Sequence, residues 1–246
     1  MIDLASTSPT LGRFVRELEA QAPRVRTRRQ VDRSGASRED LEASWLGWAT
    51  RIVDEHRSVI VFSELLGHLA SLAAPYEALC AVQRLIGDEL RHVRLCAEVA
   101  SFFGPLDALE IELDGLGLPP STDPPAARAL AIVARELVVA EGESIAVLRA
   151  YRDAASEPAC REALSILLAD EARHYAAGRH LFDRLVACLD RDAIAPMLER
   201  LPAIMREDAI AIREAHRRGA TDGPGRRYGV SIRAAEAPPS IAHLAA

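Results

Sequence analysis

The sequence predicts an all-α fold: a four-helix bundle of two antiparallel helical hairpins joined by a long crossover, with extra helical segments at the ends. Three observations predict it. Apolar residues recur at alternating three- and four-residue spacing through four long stretches, the pattern of one buried helix face. Ala, Leu and Arg abound while aromatics make up only 4% of the chain, and β-branched runs bounded by turns are nearly absent. The second half of the core also repeats the first. At 246 residues and 49% hydrophobic content, the chain can bury one substantial core.

Residues 1–36 form a mixed N-terminal segment, with a short helix expected near Leu11–Ala20 and then the basic stretch RVRTRRQ, which suits a solvated run. Ser37 with Asp40 resembles a capping box and opens a first helix reaching about Leu72. Pro75 opens a second that ends near Phe103, just before Gly104. Residues 104–125 are rich in Gly, Pro and Asp and read as a long connection. A third helix runs to about Ala155, and Pro158 opens a fourth that ends near Leu189, so the bundle occupies 37–189. Within 190–246 a fifth helix is expected over Ala193–Arg217, and the Gly/Pro-containing tail after Gly219 is expected to be loosely ordered. Short links make each hairpin antiparallel. The central link, about 22 residues, reaches roughly 70 Å when extended, and a 30-residue helix is about 45 Å long. One crossover along the bundle is therefore feasible.

The repeat lies in the helices themselves. The first carries Glu55, Ser58 and Phe62 where the third carries Glu141, Ser144 and Leu148. The second carries Asp88-Glu89-Leu90-Arg91-His92 where the fourth carries Asp170-Glu171-Ala172-Arg173-His174.

These residues interrupt the apolar seams. The first helix reads Leu41, Trp45, Trp48, Ile52, Glu55, Val59, Phe62, Leu66, Leu69; the second reads Val82, Leu85, Glu89, His92, Cys96, Val99. The third places Glu141 between Leu137 and Ile145, and the fourth places Glu171 and His174 between Leu167 and Leu181. Burying one unpaired carboxylate costs several kcal/mol, and four together repel. Two divalent cations would balance them. Glu and His at i and i+3 project from one helix face and can share a metal, and their oxygen and imidazole donors suit Fe or Mn. Glu143 competes with Glu141, but the repeat aligns Glu141 with Glu55. A lone Glu-x-x-His is usually a solvated helix face; here it occurs twice, each time on an apolar seam.

Other classes are disfavoured. A net charge of −6 argues against a nucleic-acid groove. The N-terminus lacks the pattern of a secretory signal, and no stretch is apolar enough to span a bilayer, so a cytoplasmic protein is expected. Cys80, Cys96, Cys160 and Cys188 form neither a C-x-x-C nor a zinc spacing and are expected to be buried, reduced thiols. His56, His68 and His180 read as surface or boundary residues.

Residues 40–189, and above all DELRH and DEARH, resemble the ferritin-like di-iron carboxylate superfamily, in particular its oxygen-activating branch of monooxygenase-, desaturase- and N-oxygenase-like proteins. The resemblance implies Glu55, Glu89, His92, Glu141, Glu171 and His174 as metal ligands and catalytic residues. It implies Asp88 and Asp170 as acids that orient the imidazoles, neutralised by Arg91 and Arg173. Where the ribonucleotide reductase small subunit carries its radical tyrosine, this chain has Cys96, so ribonucleotide reduction is not expected.

The function so implied is that of a non-haem di-iron oxidase or oxygenase acting on a small organic substrate. Its two metals would be Fe2, with Mn/Fe or Mn2 as alternatives, and O2 would be the co-substrate. Electrons would come from an external donor or from the substrate, and a homodimer is possible. Ferroxidase or peroxide-scavenging chemistry is the alternative, and a bundle merely braced by metal is a third reading. Ser58, Ser144, Phe62, Cys96 and Gly178 lie one turn from the proposed ligands. Small groups there either leave room for a substrate or permit tight helix packing.

Overall fold

The structure, a computed structural model, describes residues 30–106, 109–111, 115–218, 223–230 and 241–242. The short helix expected near Leu11–Ala20 lies outside the described residues. In chain order the elements are α1 (Arg38–Ser71), α2 (Tyr76–Ser101), β1 (Glu110–Ile111), α3 (Pro125–Ile132), a π-helical stretch (Val133–Ala140), α4 (Glu141–Ala154), α5 (Pro158–Cys188), α6 (Arg191–Arg218), a 3-10 turn (Arg226–Tyr228) and β2 (Ile241–Ala242). Among the described residues the protein is all-helical apart from a two-residue antiparallel ladder pairing Glu110 with Ala242 and Ile111 with Ile241. The third bundle helix is a continuous rod of α3, the π stretch and α4.

Local chemistry sets the helix ends. The Ser37 hydroxyl accepts the Asp40 N–H at 3.0 Å, and the Asp40 carboxylate accepts the Ser37 N–H at 3.2 Å, which completes the capping box. After α1 the chain reverses within four residues. Ala73 takes a left-handed φ of 50° and the Ala74 N–H donates to the Leu69 carbonyl at 3.0 Å, satisfying a carbonyl at the helix end. Pro158 occupies the first turn of α5, and the Glu157 carboxylate caps that turn by accepting the Cys160 N–H at 2.8 Å.

Cross-helix pairs fix the helix directions. Arg57 bonds Glu136 and Glu64 bonds Arg128, so numbers rise along α1 as they fall along the third rod. The same opposition holds between α2 and α5, where His92 meets Asp170 and His174 approaches Asp88. Each hairpin is also antiparallel, so α2 and the third rod run the same way. Only a long crossover can join two parallel helices of this length. Helix α6 lies along the third rod in the same direction, with Arg135 bonded to Asp208 and Glu143 to Arg213.

The polar residues form a band between two apolar halves. One half gathers Leu46, Trp48, Ile52, Leu95, Cys96, Leu164, Leu167 and Tyr228. The other gathers Phe62, Leu65, Leu69, Val82, Leu130, Leu137, Leu181, Leu185, Met197 and Leu201. Burial of each large apolar side chain contributes about 1.5–3 kcal/mol, and these two masses hold the helices in register around the band.

Two expectations need correction. Residues Gly223–Val230, read as part of a loose tail, pack into the core. Tyr228 is fully buried, edge-on to Phe103 at 4.9 Å, and its hydroxyl donates to the Asp32 carbonyl at 3.1 Å. Its own carbonyl accepts the Trp48 indole N–H at 3.1 Å. Gly225 and Gly229, at φ 82° and 73°, turn the chain tightly enough to tuck Tyr228 inward. These glycines signal a turn here, not looseness. The cysteines also divide: Cys96 and Cys160 are buried, but Cys80 and Cys188 are exposed near the N-terminal end of α2 and at the C-terminal end of α5, where the apolar seam no longer covers them. Among the described residues, no helix is long and apolar enough to cross a membrane.

Candidate metal centre

On α2 the sequence Asp88-Glu89-Leu90-Arg91-His92 serves three directions at once. Glu89 and His92, one turn apart, face the bundle axis and are almost completely buried. Asp88 and Arg91 share the adjoining face and contact each other, while Arg84 also bonds Asp88 at 3.0 Å. Leu90 points outward. Helix α5 repeats the arrangement with Glu171 and His174 inward and Arg173 against Asp170.

The structure brings all six inward residues together as two overlapping groups, each able to hold a metal ion. One comprises Glu55, Glu89, His92 and Glu171, the other Glu89, Glu141, Glu171 and His174, with donor atoms in each within 4.8 Å of one another. Glu89 and Glu171 belong to both. One Glu89 oxygen lies 3.4 Å from His92 Nδ1 and the other 3.0 Å from His174 Nδ1. Glu171 likewise offers one oxygen to each imidazole, at 3.7 and 3.5 Å. Glu55 stands 3.2 Å from His92 Nδ1 and Glu141 3.9 Å from His174 Nδ1. The two rings face each other with centroids 5.6 Å apart.

Both imidazoles turn Nδ1 inward and Nε2 toward an aspartate. Each aspartate comes from the opposite hairpin: His92 Nε2 meets Asp170 at 3.0 Å, and His174 Nε2 approaches Asp88 at 3.5 Å. An acid behind a ring fixes its tautomer and raises the basicity of the inward nitrogen. Arg91 and Arg173 reach the aspartate on their own helix, completing a chain of arginine, aspartate and histidine on each side.

Charge crowding perturbs the whole set. Burial pushes the Glu55 carboxyl up to about 8, despite the pull of His92. Burial and the neighbouring Glu171 and Glu89 drive Glu141 well above the ordinary carboxylate range. Burial would raise Glu89 too, but the close, positively charged imidazoles of His174 and His92 hold it at about 2. Burial disfavours a charged imidazole, yet carboxylates outweigh it and raise His174 to about 11 and His92 well above its ordinary value.

The donor set fits a pair of cations. One oxygen each of Glu89 and Glu171, and both ring nitrogens of His174, are buried without completing a hydrogen bond. Groups of this kind are rarely left unsatisfied in a folded interior. Four carboxylates and two imidazoles offer the oxygen and nitrogen ligands that Fe and Mn accept, and two divalent ions would cancel the four negative charges.

Glu143, the competing residue on α4, turns away and makes a bidentate pair with Arg213 of α6 at 2.6 and 2.7 Å. Gly178 leaves no room for a substrate: a Cβ there would stand 2.5 Å from the Leu137 Cβ. The Ser144 hydroxyl donates to the Glu141 carbonyl of its own helix at 2.8 Å. Sequence reasoning missed Glu136, which is buried in the π stretch and paired with Arg57. A π turn has no residue signature, and on an ideal α-helix Glu136 falls outside the apolar seam. Comparison with known proteins adds no assignment, since no family model, curated protein or solved structure matches the chain.

Proposed function

We propose that this protein is a ferritin-like di-iron enzyme, an O2-dependent oxidase or oxygenase acting on a small organic molecule. The observation that carries the reading is the shared placement of Glu89 and Glu171 between two inward imidazoles, each imidazole backed by an aspartate. Glu55 and His92 would complete one metal position and Glu141 and His174 the other, with Glu89 and Glu171 offering donors to both. When bound, a pair of Fe(II) ions supplies the electrons and open coordination that O2 reduction needs.

The chain's own residues do the rest. The two apolar halves keep water from the band and lower its dielectric, which strengthens every charge interaction inside it. Asp88 and Asp170 stand at each Nε2 and orient the rings, so that each Nδ1 would be aimed at a metal position when an ion displaces its proton. Glu55 has the most exposed side chain of the six, at 12%, which marks its side as the approach for small molecules. Further reducing equivalents would come from a separate donor or from the substrate.

The test is anaerobic loading with Fe(II), followed by rapid mixing with O2. Two irons per chain and fast O2 uptake are expected, with both lost in Glu89→Ala and His174→Ala. Unchanged iron content in both variants refutes the ligand set. Uptake of many irons per chain favours the ferroxidase alternative, and two irons without O2 consumption leaves the metals a bracing role only.

A further inference from the structure

The π stretch Val133–Ala140 ends directly before Glu141, whose N–H donates to the Glu136 carbonyl five residues back. Eight residues of π-helix are unusual, since such turns mostly occur singly within α-helices. Removing one π turn rotates everything after it by one residue's step, about 100°. With α3 held by its own packing, Glu141 would then swing by that step away from its present direction. The position of this one carboxylate therefore depends on whatever keeps the stretch from relaxing.

Three bidentate arginine–carboxylate pairs surround it. From α1, Arg57 grips Glu136 with bonds of 2.8 and 3.0 Å. From α6, Asp208 takes Arg135 near the start of the stretch at 2.7 and 3.0 Å. Arg213 takes Glu143, just past its end, at 2.6 and 2.7 Å. Forked pairs fix orientation as well as distance, which a single point contact does not. The tight seat of Gly178 against the Leu137 backbone, with a carbonyl oxygen 2.9 Å from where a Cβ would be, closes the remaining side.

We propose that Arg57, Glu136 and the α6 pair Asp208 and Arg213 are positioning residues that lock the π register and so set Glu141 in place. The inference rests on the two-metal reading above and goes beyond it: α6, outside the bundle, controls one metal position and not the other. The asymmetry follows from the ligand groups, because Glu141 belongs only to the group containing His174.

The experiment is calorimetric titration of the full-length protein with Co(II) under anaerobic conditions, with the cobalt absorption bands recorded in parallel. The variants are Glu136→Gln, the double change Asp208→Asn with Arg213→Gln, and the swap Arg57→Glu with Glu136→Arg. Wild type is expected to bind two equivalents. The first two variants should keep one equivalent at wild-type affinity and weaken the other by about 10–100-fold, with altered absorption for that ion alone. The swap should restore part of the loss. Two equivalents at wild-type affinity in both variants, or equal weakening of both, overturns the inference. A wild type that binds no cobalt overturns instead the metal reading on which it rests.

Discussion

Replacing Gly178 with alanine tests how closely α5 must approach the π stretch. A methyl group there would meet the Leu137 Cβ at 2.5 Å, its carbonyl oxygen at 2.9 Å and its carbonyl carbon at 3.0 Å, where ordinary contact begins at 3.4 Å. Two of those three atoms are backbone, so no rotamer change relieves the clash and the helices must separate. Overpacking of this kind costs about 1–3 kcal/mol, with backbone involvement pointing to the upper part of that range. The Gly-to-Ala change returns about 1 kcal/mol of helix propensity. The net expectation is a loss of about 1–2 kcal/mol, or a melting temperature lower by about 2–8 °C for a protein of this size. Thermal unfolding of the metal-free protein followed by far-UV circular dichroism measures it. Gly67→Ala is the control: nothing lies within 4 Å of the added methyl, one turn before the end of α1, so that variant should gain up to about 0.5–1 kcal/mol. If Gly178→Ala is stabilised as much as Gly67→Ala, the close seat is not real and the reasoning about α5 and the π stretch fails.

Three further predictions concern the band and its surroundings. Glu55 ionises near 8 in the fold against 4.5 ordinarily, and His174 near 11 against 6.5. The folded state thus holds more protons than the unfolded chain throughout pH 6.5–8, so the metal-free protein should lose stability as pH rises through it. Melting curves at steps across that range check the sign, and a rising melting temperature contradicts it. Asp170→Asn, which replaces the acid behind His92, should lower metal affinity by about 10–100-fold while leaving helical content intact; dialysis against a graded chelator reads this, and unchanged retention refutes the orienting role. Tyr228→Ala removes a fully buried ring and should cost about 3–5 kcal/mol, whereas truly loose packing of Gly223–Val230 would make it nearly silent in denaturant titration.

Much of the site was legible because helical periodicity is local. Once Glu89 and His92 sit one turn apart on a seam that otherwise reads Leu85, Cys96 and Val99, the 3.6-residue repeat alone turns both inward. The same rule chose Glu141 over Glu143, and the structure pairs Glu143 with Arg213 on the outside. Where the rule assumed an ideal α-helix, it overlooked Glu136. Where it took glycine and proline as marks of looseness, it overlooked the turn that buries Tyr228.

The sequence by itself determined which residues face the bundle axis, where the helices begin and that two hairpins repeat one pattern, because each depends on neighbours a few positions apart. Only the tertiary structure decided that Asp170 backs His92 and Asp88 backs His174, that Glu89 and Glu171 stand between both imidazoles, and that α6 clasps the π stretch. Those facts depend on how far one helix slides and turns against another. That offset is set by the summed packing of two apolar cores and by backbone contacts such as Gly178 on Leu137, terms that act between residues far apart in the chain and leave no periodic trace in it.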